Sequence, residues 1–141
     1  MRVAVTVEQS WHAVPGGIGV TTVELLRALA ARDHLDIVGV AARHRRPPPD
    51  GLRPPVTVRH LGLPRRFLYE AWQWLRWPAV EEATGPVDVV HDAGFVVPPC
   101  RAPLVATIHD LLFPGIPAIT RGIPGSSFGE GSTSPAGTRA S

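Results

Sequence analysis

The sequence predicts an α/β protein built on a Rossmann-like, mostly parallel sheet with flanking helices. Short valine-rich runs alternate with segments of helical periodicity, which is the pattern of βαβ units. The runs are continuously apolar rather than alternating, as in strands that a parallel sheet buries on both faces. In such a sheet, ligands lie near the carboxyl ends of the strands.

The elements are expected in the order β-α-β-β-α-β-β. A proline-rich loop over 43–55 separates the second and third strands, because proline fixes φ and lacks an N–H donor. The predicted strands cover 2–7, 35–42, 56–60, 87–91 and 104–109, and the predicted helices cover 20–32 and 66–77, with a weaker helical piece to residue 83.

Each predicted helix has an apolar face that should pack on the sheet, because apolar residues recur three and four positions apart. The face of the first helix consists of Val20, Val23, Leu26, Leu29 and Ala30. The face of the second helix consists of Phe67, Leu68, Ala71, Trp72 and Leu75.

The second helix also has the composition of an amphipathic element at a membrane surface. The side chains that give it this character are Trp72, Trp74, Trp77, Arg65, Arg66 and Arg76. The alternative is an ordinary helix that packs on the sheet with its arginines at the rim. A peripheral membrane contact through this helix, which we call the Trp/Arg helix, is therefore a candidate interaction.

Composition and charge exclude several classes of protein. The chain has 141 residues and 14 basic side chains, all arginine, against 12 acids, and a net charge of +2 is a weak basis for nucleic-acid binding. Its single cysteine, Cys100, cannot form an internal disulfide. The sequence shows neither a signal-peptide apolar region nor a stretch long enough to span a membrane, so we expect a cytoplasmic location.

The composition changes after Phe113. Residues 114–141 are rich in glycine, proline, serine and threonine and show no apolar periodicity. Such segments do not bury enough apolar surface to offset the entropy of ordering. We therefore expect a Rossmann-like domain over 1–113 and a disordered tail over 114–141.

A glycine-rich loop before the first helix is one candidate site. Gly16, Gly17 and Gly19 allow the backbone to approach a ligand closely, and the free N–H groups at a helix start favour a phosphate. The alternative is a flexible turn. Position 22 holds Thr22 where the dinucleotide fingerprint G-x-G-x-x-G requires glycine, and the loop is too long for that motif, which disfavours a nicotinamide-dependent enzyme.

The two neighbouring strands that end in His-Asp pairs are the other candidate site. His91-Asp92 follows the fourth strand and His109-Asp110 the fifth. A histidine at a strand end can exchange hydrogen bonds near neutral pH, and Asp110 could orient His109 or cap the next element. The alternative is a histidine satisfied by backbone groups. No zinc-ligand spacing and no G-x-S-x-G elbow occurs, so no metal site is predicted.

Four segments occur together in one order: MRVAVTVE, the loop PGGIG before a helix, GPVDVVHD followed by a Pro-Pro turn, and PLVATIHDLLF. Over roughly residues 1–117 the chain resembles the N-terminal half of a family 4 retaining glycosyltransferase of the GT-B fold. The resemblance implies a mainly acceptor-binding domain, a nucleotide-sugar donor, a glycan or lipid-linked acceptor, retention of configuration, and no required metal or cofactor. It implies that Gly16, Gly17 and Gly19 lie against the donor phosphates and the acceptor, and that His109, oriented by Asp110, lies by the transferred sugar.

The sequence departs from the family pattern after HDLLFPGIP, where a long helix and further strands would follow. A complete donor-binding domain with an E-x7-E motif does not fit in 141 residues. We therefore expect a truncated or frame-shifted chain that is inactive alone. The alternative function is a non-catalytic module that binds a sugar or a phosphorylated ligand.

Overall fold

A five-stranded, all-parallel sheet forms the centre of the structure, a computed structural model that describes residues 1–14 and 16–109. The predicted α/β, Rossmann-like class is therefore confirmed, whereas the predicted tail over 114–141 lies outside the described residues. The strands are β1 (Arg2–Thr6), β2 (Asp36–Ala41), β3 (Val58–His60), β4 (Val89–Asp92) and β5 (Leu104–Ala106).

The order of the strands across the sheet is β3-β2-β1-β4-β5. The chain moves outward from β1 to β2 and β3, and then returns to the other side of β1 for β4 and β5. The direction of winding therefore reverses between β1 and β4. In open α/β sheets, ligands bind in the crevice at the carboxyl ends of the two strands where this reversal occurs.

Apolar layers cover both faces of the sheet, because successive side chains of a strand point to opposite sides. Ala4 of β1 belongs to one layer, together with Leu68 and Trp72 of the Trp/Arg helix. Val3 and Val5 belong to the other layer, together with Leu26 of the first helix. This confirms the predicted packing of helices on both faces.

The first helix, α1 (Gly16–Ala30), begins four residues before the predicted start and includes the glycine loop. Its buried face consists of Gly19, Thr22, Val23 and Leu26. The prediction was wrong for Val20 and Ala30, which are exposed. Gly19 and Thr22 are buried beside Val23 and Leu26, whereas Val20 is exposed. Apolar periodicity alone does not indicate that these two residues are buried.

The Trp/Arg helix consists of α2 (Arg65–Glu70) and a turn of π-helix (Ala71–Leu75) that ends before Pro78, as predicted. Leu68, Ala71 and Trp72 are buried, as predicted. Phe67 and Leu75 were wrongly assigned to the core, since they are 50% and 71% exposed. The i→i+5 turn changes the helical period that the prediction assumed, and Leu75 therefore leaves the predicted face.

The remaining elements include the short helix α3 (Glu81–Thr84), which ends at Gly85 with φ at 72°. Beyond it, β5 forms an edge of the sheet in the described part of the chain, and all three of its residues are exposed. The expectation that every strand is buried on both faces was therefore wrong for β5, and also for β3, in which Arg59 and His60 are exposed. An edge strand has a neighbouring strand on one side only. The apolar character of Leu104 and Val105 does not indicate that β5 lies at an edge of the sheet.

Candidate functional site

The carboxyl ends of β1 and β4 are tied together by a buried hydrogen-bond network. Thr6 Oγ1 donates to Asp92 Oδ1 over 2.8 Å and accepts from the Ala93 N–H over 3.0 Å. The Gly94 N–H donates to the same Asp92 oxygen over 3.0 Å. This network fixes the floor of the crevice between the two strands, at the point where the sheet changes its direction of winding.

Gln9 links the loop after β1 to the loop after β4. Its side-chain amide donates to the Ala93 carbonyl over 3.0 Å. A Cβ on Gly94 would lie only 2.6 Å from Gln9 Nε2, so any larger residue there would displace the end of the Gln9 side chain. Sequence reasoning missed Thr6, Gln9 and Gly94. One signal in the sequence could have indicated this contact, namely a glycine, Gly94, close after the end of the fourth strand.

Three polar atoms in the loop after β1 are buried without a hydrogen-bond partner among the described residues. They are Gln9 Oε1, Ser10 Oγ and His12 Nε2. Buried polar groups are nearly always paired in folded proteins, and each exception calls for an explanation. The three atoms lie within four residues of one another in this loop, and the side chains of Gln9 and His12 also contact the loop after β4.

The three predicted glycines occupy different environments at the start of α1. Gly16 has φ at +57°, in the left-handed region, and a Cβ on Gly16 or Gly17 would meet nothing within 4 Å. Both are exposed, whereas Gly19 is buried on the helix face that packs on the sheet. The first N–H groups of a helix lack intrahelical acceptors, so Gly16 and Gly17 form an accessible start where an anion can bind.

His109 lies at the carbonyl that Gln9 also reaches, with its Nε2 3.3 Å from the Ala93 oxygen. The structure therefore brings His109 to the β4 side of the crevice. Asp110, the predicted partner of His109, lies outside the described residues. His91 is turned toward β5, and its Nε2 is 2.8 Å from Thr107 Oγ1.

Two imidazoles near the ends of β1 and β4, those of His91 and His12, have pKa values lowered from the usual value, which favours the neutral form. Burial lowers the pKa of His91, the charge of Asp92 opposes this shift, and His109 lowers the pKa further. Burial likewise lowers the pKa of His12, and the Arg65 guanidinium adds to the effect. A neutral imidazole offers one donor and one acceptor, which suits hydroxyl recognition.

The Trp/Arg helix contributes Tyr69 to the same edge of the sheet. Burial raises the pKa of the Tyr69 phenol, and the Glu8 carboxylate raises it further. The Arg65 guanidinium partly offsets these effects. The phenol is therefore a neutral hydroxyl at physiological pH.

Residues 1–14 and 16–109 contain neither a cluster of metal-binding side chains nor a helix suited to cross a membrane. Within these residues, no group of three histidine, cysteine or carboxylate side chains is placed to hold a metal ion. None of the described helices has the length and hydropathy required to cross a membrane.

Comparison with protein-family models matches residues 15–129 to Glycosyltransferase Family 4. The match spans most of the chain and includes the three glycines, His109 and Asp110, whereas β1 and the turn at Glu8–Trp11 lie before it. It also extends into the segment after residue 113. No curated protein and no solved structure matches the chain.

Proposed function

The chain belongs to glycosyltransferase family 4, and we propose that it is the acceptor-side domain of an enzyme that transfers a sugar from a nucleotide-sugar with retention of configuration. The observation that carries this proposal is the crevice between β1 and β4. Gln9 and His109 both reach the Ala93 carbonyl on its β4 side, and three buried polar atoms of the loop that contains Gln9 have no partner among the described residues. In this fold, a crevice at that position is the expected place for a ligand.

The start of α1 is suited to the diphosphate of the donor. Cleavage of the donor leaves negative charge on the diphosphate, and oriented N–H groups stabilise such charge. Gly16 and Gly17 supply these groups on an open surface, since a Cβ at either position would contact nothing within 4 Å. This role needs no metal ion or cofactor.

His109 is suited to contact a sugar hydroxyl. Its Nε2 lies near the Ala93 carbonyl, so the tautomer with the proton on Nε2 fits this geometry. Nδ1 is then left as an acceptor. Gln9, whose amide nitrogen reaches the same Ala93 carbonyl, adds Oε1 as an acceptor without a partner among the described residues, and Asp110 is proposed to orient His109.

Nucleotide binding at the glycines is tested by titrating the ¹⁵N-labelled chain with UDP and with GDP. We expect the amide signals of Gly16 and Gly17 to shift with one of the two nucleotides. Gly51 and Gly62 serve as matched controls, because they are also exposed and a Cβ there would also contact nothing within 4 Å. Equal shifts at all four glycines, or none, would contradict the proposed phosphate site.

Sugar transfer is tested by supplying the chain with a separately produced C-terminal domain of a family 4 enzyme. We expect no turnover by the chain alone, and turnover with an unchanged anomeric configuration when the second domain is present. In that mixture, His109→Ala should lower kcat by about 100-fold or more, whereas Gly51→Ala should not. Turnover by the chain alone would contradict the proposed inactivity, and an unchanged kcat in His109→Ala would remove His109 from the site.

A non-catalytic module that binds a sugar or a phosphorylated ligand is the second candidate. The same buried polar atoms favour it, because they are suited to ligand binding whether or not a reaction follows. Calorimetric titration with glycans distinguishes the two functions. Glycan binding, with no transfer when the second domain is supplied, would favour the module.

A peripheral membrane contact through the Trp/Arg helix is supported by its exposed apolar side chains. Phe67, Trp74, Leu75 and Trp77 are all exposed, and Arg66 and Arg76 flank them. Aromatic and arginine side chains in this combination suit an anionic lipid surface. We expect the chain to sediment with phosphatidylglycerol vesicles, and Trp74→Ser to bind less than Phe95→Ser, which removes an exposed aromatic ring elsewhere. Equal binding by the two variants would count against this contact.

A further inference from the structure

A cavity, which we call the β2–β3 pocket, lies at the carboxyl ends of β2 and β3. Its volume is about 330 Å³, and its lining includes Trp11, His44, His60, Arg46 and Arg53. This volume falls within the range of small-molecule sites. Trp11 follows Gln9 and Ser10 in the turn after β1, so the same loop contributes to the pocket and to the crevice.

One wall of the pocket consists of three aromatic rings in contact. The Trp11 and His44 rings are stacked, with centroids 4.5 Å apart and planes within 5°. The His60 ring meets Trp11 edge-on, with centroids 5.6 Å apart. All three rings line the pocket, and the face of an aromatic ring suits the C–H face of a sugar or cyclic polyol, which is apolar although the ring edge is polar.

Hydrogen bonds hold each of the three rings in place. Trp11 Nε1 donates to the Arg46 carbonyl over 2.8 Å, and His60 Nδ1 lies 2.6 Å from the Ala42 carbonyl. His44 Nε2 lies 2.9 Å from the buried Glu8 carboxylate, whose other oxygen accepts from the Ala42 N–H over 2.8 Å. The wall is therefore ordered before any ligand arrives, which lowers the entropic cost of binding.

The pocket is lined by two arginines, Arg46 and Arg53, and both residues are exposed. Neither the Arg46 nor the Arg53 side chain forms an ion pair within the part of the chain that the structure describes. The nearby Glu8 carboxylate is already bonded to His44 and Ala42. A guanidinium binds phosphate through two parallel N–H donors, which makes arginine the preferred side chain for phosphate esters.

We propose that the β2–β3 pocket binds a phosphate ester of a sugar or cyclic polyol, with the ring on the aromatic wall and the phosphate on Arg46 and Arg53. The inference rests on the proposed function, because it identifies this compound as the acceptor or as the part of the acceptor that the domain holds. The opposing explanation is that Trp11, His44 and His60 only attach the proline-rich loop to the sheet, in which case the arginines have no ligand.

The test is calorimetric titration of the full chain with glucose 1-phosphate, glucose 6-phosphate and mannose 6-phosphate. Glucose and inorganic phosphate are titrated as the two separate parts of these probes. We expect at least one sugar phosphate to bind about tenfold more tightly than either part, and to shift the indole N–H signal of Trp11. Absence of binding by all three sugar phosphates would overturn the proposal.

Variants locate the binding site. Arg46→Gln and Arg53→Gln remove the charge but leave intact the Arg46 backbone carbonyl that holds Trp11, so the fold is retained. Together they should weaken sugar-phosphate binding by about tenfold or more. Arg32→Gln, an exposed arginine after α1, is the matched control and should not change binding. An equal Kd in the double variant and the control would overturn the proposal.

The two NMR readouts distinguish a failure of the pocket assignment from a failure of the proposed function. Nucleotide binding is followed at the Gly16 and Gly17 amides, whereas sugar-phosphate binding is followed at the Trp11 indole. If the nucleotide shifts the glycines but the sugar phosphates leave Trp11 unshifted, only the pocket assignment is wrong. If the sugar phosphates shift the glycines instead of Trp11, the phosphate lies at α1 and the pocket assignment is again wrong.

Discussion

Replacement of Thr6 by valine should reveal how strongly the crevice floor stabilises the domain. Valine has nearly the same shape as threonine, so the substitution removes the hydroxyl without opening a cavity. In the native chain that hydroxyl donates to Asp92 Oδ1 over 2.8 Å and accepts from the Ala93 N–H over 3.0 Å. Thr6 and Asp92 are both buried, so water does not replace the lost partner.

The expected loss in the free energy of unfolding follows from these two hydrogen bonds. A hydrogen bond to a charged group contributes about 1.5–3 kcal/mol, and a buried N–H left without an acceptor costs about 1–3 kcal/mol. The Asp92 carboxylate keeps its bond from the Gly94 N–H, which limits the effect. Thr6→Val should therefore destabilise the chain by about 3 kcal/mol.

Urea unfolding of the full chain, followed by far-ultraviolet circular dichroism at pH 7, measures this loss. The matched control is Thr22→Val in α1, because Thr22 is also buried but its hydroxyl donates only to the Ile18 carbonyl one turn earlier. In a helix, that carbonyl also has a backbone donor, so the control should lose less than about 1 kcal/mol. Equal losses in the two variants, with unchanged m-values, would refute the role assigned to the Thr6–Asp92 network.

Two further predictions concern the same edge of the sheet. Gly94→Ala should displace the Gln9 side chain, since a Cβ would lie 2.6 Å from Gln9 Nε2. It should destabilise the chain by about 1–3 kcal/mol, whereas Gly51→Ala, measured by the same urea unfolding, should not. Burial lowers the pKa values of His12 and His91, so the unfolded chain binds more protons. The free energy of unfolding should therefore fall as the pH drops below about 6.5, and a His12→Gln/His91→Gln double variant, unfolded in urea at several pH values, should show a smaller decrease.

The strands and the sheet type were predictable because their signals are local. The runs around Val5, Val38 and Val90 are rich in β-branched residues, and continuous apolar character indicates burial on both faces in a parallel sheet. The glycines at the start of α1 and the histidine after β5 were also visible in the sequence, since strand ends and helix starts are the expected ligand positions in this fold.

The helix faces were only partly predictable, because periodicity assumes a regular helix. The π-helical turn at Ala71–Leu75 changes the period, and Leu75 becomes exposed. In α1, Gly19 and Thr22 are buried, whereas Val20 is exposed. Which side of a helix faces the core depends on where the helix lies on the sheet, and that position is a property of the assembled fold.

The sequence by itself determined the α/β class, the parallel sheet and the presence of a glycine-started helix, because each depends on residues that are neighbours along the chain. Only the tertiary structure decided which polar groups share the crevice and which rings line the β2–β3 pocket. Thr6 and Asp92 are 86 positions apart, and Trp11 reaches the Arg46 carbonyl across 35 positions. Such pairs meet because β1 pairs with β4 on one side and with β2 on the other, and a local residue pattern carries no information about that strand order.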